Sequence, residues 1–370
     1  MGGRSEDEDL PFASVVRQMP SLENLAITNF NHPGKQYTRL ELGWENLTQL
    51  TLLTPLHTRR SNISQFSPGE ILTILGRTCC LQSVTLIIDI SNWDHASTSD
   101  TAVVNLPAMH EMHITFINRR FQDYSLLKTF FLNFFHSILC PSLKTLSASW
   151  QGTALIEIPF SALVSLQDVE ALSLNMPLTP RALLNCLSLV PNLRSLEIVS
   201  RPLAIDDGNG SQGIPPLISH TVEDTVLESL ASNLSGEGNH TPLQCPNLKH
   251  IKITFKDSLP SSITLNALLA FLESHVQAQT SLESCNIFFP KPPAEPTEEE
   301  AARLQALVDS GLKLQIQYQK QRQIFYQNDS PLIGVLVQRT GVLPQWQDFL
   351  IGEPARLSGF QALFETGTII

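Results

Sequence analysis

The sequence predicts an α/β repeat protein, a curved solenoid with parallel strands on its inner, concave face and helices on its outer, convex one. Three observations predict it. A phrase P-x-[LM]-x-x-[LIM], usually completed by an apolar residue two places on, recurs along the 370 residues. Helical patterns lie between its copies. The copies are spaced by 24 to 34 residues over most of the chain, the period of stacked repeats in which each unit buries its apolar side only against its neighbours.

The full phrase reads Pro20-Ser-Leu22-Glu-Asn-Leu25-Ala-Ile27, and it returns at Pro107, Pro141, Pro191 and Pro246. Copies without the proline start at Leu47, Leu81, Val169 and Leu282. One interval is longer, 55 residues from Leu193 to Leu248. Polar, turn-rich segments near 201–220 and 233–243 enlarge that repeat, with a helix over about 221–232 between them.

Within a copy, L-x-x-L-x-L alternates with the period of a strand. Ser67-Pro-Gly-Glu70 is a capping box ahead of Ile71, Leu72, Ile74 and Leu75. Thr179-Pro180 opens another helix, proline being favoured where its missing N–H costs nothing. Tyr124 to Leu139 and Thr264 to Gln279 read as longer helices. Helices joining successive strands imply right-handed crossovers and a parallel sheet.

Residues 1–11, with the run Glu6-Asp-Glu-Asp9, read as a disordered acidic tail, and the array is expected over 12–318. Phe12 to Met19 looks like the end of a helix running into the first strand, so the array begins mid-repeat. A Pro-rich linker over 290–296 leads to a second capping box, Thr297-Glu-Glu-Glu300, a helix through Leu304, Leu307 and Val308, and a last strand over 312–318. Beyond it the periodicity fails, and 319–370 is expected to be a poorly ordered tail.

Composition excludes several functions. The formal charge is −11, and the 24 Lys and Arg residues form no run, which argues against nucleic acid. No apolar run of 18 residues or of signal-peptide length occurs, so no membrane association is expected and the cytoplasm or nucleus is the expected location. The six cysteines are scattered and form no disulfide framework. No P-loop, dinucleotide fingerprint, nucleophile elbow, zinc-protease or C-x-x-C motif is present. The sequence therefore predicts no enzyme, no cofactor, no metal and a monomer.

The position before the proline is Met19, Leu106, Cys140, Val190 and Cys245. Cys140-Pro-Ser-Leu-Lys-Thr-Leu and Cys245-Pro-Asn-Leu-Lys-His-Ile resemble the units of cysteine-containing leucine-rich repeats. Together with the irregular intervals, the S/T-P helix starts and Pro-Asn-Leu-Arg-Ser-Leu, they resemble the F-box-like leucine-rich-repeat proteins of mushroom-forming fungi. The resemblance covers about 12–318. It implies a leucine-rich-repeat solenoid acting as the substrate receptor of a cullin-type ubiquitin ligase. The chain departs from that pattern in one respect. Leu10-Pro11-Phe12 is followed by too little sequence for an F-box before Pro20, so binding to a cullin-ligase adaptor is expected only if an F-box is missing upstream.

If Leu25 and Ile27 enter the core, alternate residues form the concave floor. Its central row is Ala26, Thr51, Thr85, His113, Ser147, Ser173, Glu197, Lys252 and Asn286. The next row contributes Leu53, Ile87, Val199 and Phe288 as apolar anchors. The candidate partner-binding residues are thus Thr51, Leu53, Thr85, Ile87, His113, Ser147, Ser173, Glu197, Val199, Lys252 and Phe288. Two readings stand level: the floor accepts an unidentified protein, or it is merely solvated and binding lies in the loops. His110 and His113 flank Glu111, but a spacing of three in a strand sends their side chains to opposite faces, which excludes a shared metal ion. Cys140 and Cys245 read as core thiols, and Cys79-Cys80 is an adjacent pair without C-x-x-C spacing. Phe130, Phe131, Phe134 and Phe135 read as core, with a partly exposed partner patch as the other option. The expected function is a non-enzymatic protein-interaction scaffold. The alternative is a truncated or degenerate repeat protein with a structural role and no dedicated partner.

Overall fold

A computed structural model describes residues 21–28, 43–53, 66, 68–90, 103–118, 124–152, 166–200, 202–205, 217–231, 245–255, 263–277, 282–289, 296–329 and 336–350. The acidic run, Phe12 to Met19, Ser67 and most of the Pro-rich linker lie outside the described residues, as does much of both expected insertions.

Each copy of the phrase makes a strand: β1 (Asn24–Thr28), β2 (Gln49–Leu53), β3 (Ser83–Asp89), β5 (Glu111–Ile117), β7 (Thr145–Gln151), β8 (Ala171–Asn175), β9 (Ser195–Ser200), β12 (His250–Phe255) and β13 (Ser284–Phe289). β14 (Lys313–Asp329) follows, and the ten pair in parallel in that order. The result is a mixed α/β architecture built on one ten-stranded parallel sheet. Register is uniform. Leu25 lies opposite Leu50, then Val84, Met112, Leu146, Leu172, Leu196, Ile251 and Cys285 follow in line. A one-residue slip anywhere would turn a whole apolar set outward, so burial of one face holds the register.

A second ladder fixes where each strand starts. The Glu23 carbonyl accepts from the N–H groups of both Thr48 and Gln49, and the Thr48 carbonyl accepts from Gln82 and Ser83 in turn. The pattern repeats through Gln82, His110, Lys144, Glu170, Arg194 and Lys249. Ahead of it, most full copies make a turn closed by a 3.1–3.2 Å bond, as from Leu143 N–H to the Cys140 carbonyl. This is why the phrase keeps its Pro-x-Leu spacing: proline presets the first turn position, and leucine drops into the core.

Among the described residues six α-helices accompany the strands: α1 (Pro68–Leu75), α2 (Tyr124–His136), α3 (Pro180–Ser188), α4 (Asp224–Leu230), α5 (Leu265–Gln277) and α6 (Glu298–Asp309). Thr179 caps α3 by accepting from Ala182 N–H at 3.1 Å. Thr297 and Glu300 cap α6 reciprocally, as the sequence predicts. Just past the Ser310 C-cap of α6, Gly311 adopts a φ of 98° that glycine takes without strain, and the chain then drops Leu312 into the core.

The helices bury their apolar sides against one face of the sheet in a single continuous core. Phe116, at the end of β5, is the hub of the aromatic part. Phe130, Phe131, Phe134 and Phe135 meet its ring edge-on at centroid distances of 4.8 to 6.1 Å. All five are at most 2% exposed. The partner-patch option for these rings is therefore corrected: four aromatics span more than one helical face, but α2 is enclosed on all of those faces.

Other differences are local. The helix expected to reach Leu139 stops at His136, and Ile138–Leu139 forms a short strand, β6, pairing in parallel with β4 (Val104–Asn105). Within the first expected insertion, β10 (Pro202–Ile205) and β11 (Leu217–His220) form an antiparallel ribbon. The ribbon brings Val222 to the end of β9, where its N–H donates to the buried Ser200 hydroxyl at 3.2 Å. That bond satisfies a polar side chain whose register partner on β12 is the apolar Phe255. Beyond 318, where a poorly ordered tail was expected, β14 continues to Asp329 and pairs with an antiparallel strand, β15 (Leu336–Leu350). A strand at the margin of a sheet offers unpaired N–H and C=O groups, and a returning strand satisfies them without any repeat phrase. Residues 351–370 lie outside the described ones.

Candidate functional site: the open face of the sheet

The face of the sheet opposite the core is built by the residues that the phrase leaves free. Register places Ala26, Thr51, Thr85, His113, Ser147, Ser173, Glu197, Lys252 and Asn286 side by side across nine strands, and Gln315 extends the row onto β14. Each is half-buried or exposed, whereas the residues on either side along the strand are buried, Leu25 excepted. The expected central row is thus one physical row.

The apolar candidates fall into two groups. Val199, Thr254 and Phe288 are consecutive register partners on β9, β12 and β13. Leu53 and Ile87 lie at the other side of the sheet, on β2 and β3. Thr115, Ser149 and Asn175 separate the groups with polar side chains. The floor therefore has a small, neutral, polar centre between two apolar flanks.

Its charges pair with each other. His113 Nε2 lies 2.8 Å from Glu111 Oε1, and the Ser83 hydroxyl donates to Glu111 Oε2 at 3.2 Å. The hydrogen bond from His113 holds the Glu111 carboxyl below its usual range, and the Ser83 contact adds to that against the opposing effect of partial burial. His110 instead approaches the Ser142 carbonyl at 3.4 Å, so the two histidines engage different partners. Lys252 Nζ meets Glu197 Oε1 at 2.7 Å across adjacent strands. His250 and Ser284 make a side-chain hydrogen bond of 2.9 Å in the row nearer the strand starts.

One feature of this face is absent from the rows assigned by sequence. The residue just before β1, β7, β8, β9, β12 and β13 is charged. Glu170 bridges Lys144 at 3.2 Å and Arg194 at 3.3 Å, and Lys249 pairs with Glu283 at 2.8 Å. These are the first x of L-x-x-L. The same alignment that gave the floor also contains this charged rim, one residue upstream.

Among the described residues no three His, Cys, Asp or Glu side chains converge as metal ligands would. Four cysteines are buried, and burial pushes the thiols of Cys140, Cys245 and Cys285 up to about 12, far from a reactive thiolate. Burial likewise raises Cys186, with the adjacent Cys245 adding to it. Among the described residues no helix is long and apolar enough to cross a membrane. A face of this kind offers hydrogen bonds, two apolar contacts and shape. No family model matches the sequence, and no curated protein matches it.

Proposed function

We propose that the protein is a non-enzymatic leucine-rich-repeat scaffold whose open sheet face binds another protein. In this reading the sheet is the concave lining of a solenoid and the helices form its convex back. The observation that carries the proposal is the uniform register, which gathers side chains from nine repeats onto one continuous floor. Small Ser and Thr side chains let a partner backbone approach closely. Leu53 and Ile87 on one flank, with Val199 and Phe288 on the other, supply apolar anchors that a partner's apolar surface can cover. His113, Glu197 and Lys252 supply directional polar contacts between the anchors.

Within that function, the resemblance to F-box-like repeat proteins points to the substrate-recognition part of a cullin-type ubiquitin ligase receptor, in the cytoplasm or nucleus. The two levels separate experimentally. Affinity capture with the parent chain is compared with capture by a Ser147→Arg, Ser173→Arg variant, which places two long cations in the middle of the floor. The scaffold reading expects a specific companion protein with the parent and at least a tenfold loss with the variant at unchanged folding. Equal capture by both contradicts it. A ligase adaptor among the companions, with a natural upstream extension if one exists, supports the receptor role, and its absence under those conditions contradicts that role alone.

A further inference from the structure

The two exposed cysteines occupy a position that the repeat pattern defines. Thr78, Cys79, Cys80 and Leu81 form a turn closed by a 3.3 Å bond from Leu81 N–H to the Thr78 carbonyl, the same turn that precedes the other strands. In the full copies, Pro107, Pro141, Pro191 and Pro246 hold the first tip position and are exposed. Here Cys79 stands in the proline's place and Cys80 beside it. Thr78 before them and Leu81 after them are both 0% exposed, so the turn is anchored at its two ends. The thiols project from a fixed tip, with sulfur atoms 3.9 Å apart. The other four cysteines are buried.

Magnitudes decide what this pair suits. A direct disulfide requires sulfurs at about 2.05 Å and Cα atoms usually about 4.4–6.8 Å apart, whereas neighbouring residues are held at about 3.8 Å. A single soft atom with bonds of about 2.3 Å to each sulfur, the zinc–thiolate length, spans about 3.8 Å at a tetrahedral angle. The observed gap of 3.9 Å is just wider than that span, and a pyramidal centre, whose narrower angle brings the sulfurs to about 3.4 Å, is reached by a small rotation of the exposed side chains. A linear two-coordinate ion with bonds of that length would need about 4.6 Å. A four-coordinate metal would need two more protein ligands, and among the described residues none complete a set. What remains is a pyramidal centre satisfied by two protein sulfurs and one substituent of its own.

We propose that the Cys79–Cys80 turn is a dithiol site for trivalent, thiophilic metalloid compounds, of which a monosubstituted arsenical is the type. Two As–S bonds form, and the arsenical's oxygen leaves as water with the two thiol protons; nothing is oxidised or reduced. Cys80 is held above its ordinary value, first by its hydrogen bond with Cys79 and next by charge repulsion from it. Once the first sulfur has bound, the second is already in place, and ring closure is intramolecular.

The test uses phenylarsine oxide and intact-mass spectrometry of the native full chain. The proposal expects one adduct per chain, of reagent mass less one water, resistant to excess monothiol and removed by a small dithiol. Cys79→Ser and Cys80→Ser should each reduce monothiol-resistant labelling at least tenfold, with circular dichroism matching the parent. Cys186→Ala, which alters the buried pair with Cys245, should label as the parent does. Retention of the adduct by either exposed-cysteine variant overturns the proposal, as does a native parent that takes up none or a parent already two mass units light from a 79–80 disulfide.

Discussion

Lys252 Nζ and Glu197 Oε1 meet at 2.7 Å across β12 and β9, joining two repeats between which the sequence inserts its longest excursion. The charges that enter the central row late in the sequence therefore neutralise each other. Within the proposed function, charges paired in this way suit a protein surface better than a polyanion.

That pair should matter little for stability. The two side chains are 54% and 40% exposed, and exposed ion pairs contribute about 0–1 kcal/mol. A double-mutant cycle with Lys252→Ala and Glu197→Ala, read by urea unfolding, should give a coupling under about 1 kcal/mol. A partner, if it uses this point of the floor, should respond far more strongly to Glu197→Lys than the folding equilibrium does.

The aromatic hub should behave in the opposite way. Phe116 is fully buried against four rings of α2, and removing its ring leaves a cavity they cannot all collapse into. Phe116→Ala should cost about 3–5 kcal/mol, seen as a lower urea midpoint at an unchanged slope. Thr85→Ala, on the open face, should cost less than about 1 kcal/mol.

Two glycines separate backbone need from simple tolerance. Gly69 lies in the first turn of α1, and a Cβ there meets nothing within 4 Å. Gly69→Ala should stabilise by up to about 1 kcal/mol, because alanine has the better helix propensity. Gly311, at φ 98°, also has open space around it, yet Gly311→Ala should destabilise by about 1 kcal/mol through backbone strain alone. Thermal unfolding of the two variants should move in opposite directions.

His275 gives stability a dependence on pH. It is fully buried on α5 with its ring 4.7 Å from Phe271, and burial pushes its pKa down to about 4, against a smaller upward effect of its hydrogen bond to the Leu230 backbone. Below about pH 6.5 the unfolded chain binds a proton at this residue that the folded chain does not. The contribution is thus complete above about pH 6.5 and is lost as pH falls toward 4, by about 3 kcal/mol in all. Unfolding free energies measured between pH 7 and 4 should fall less steeply for His275→Leu than for the parent.

Much of this was legible in the sequence because the phrase has two periods at once. Its residue-level alternation separates core from floor, and its spacing sets strands side by side, so the phrase alone puts Thr85, His113 and Ser147 in one row. The charged rim of Lys144, Glu170 and Arg194 was legible in the same alignment, one residue upstream. The β4–β6 and β10–β11 pairs were not, because strands of two to four residues carry too few side chains to show a period and depend on partners distant in sequence. Phe116 was hidden for a related reason: it lies past the end of the phrase, where nothing but packing distinguishes a hub from any other apolar residue.

The central claim, that the open face is the binding surface, is tested most directly by placing a photo-crosslinking benzoylphenylalanine at one position at a time. Thr85 and Ser173 sample the floor, and the exposed helix residues Thr73, Arg181 and Gln305 sample the other side. The account predicts that the same companion protein becomes covalently attached from Thr85 and Ser173 and not from the helix positions. Attachment from the helix positions with none from the floor would contradict it.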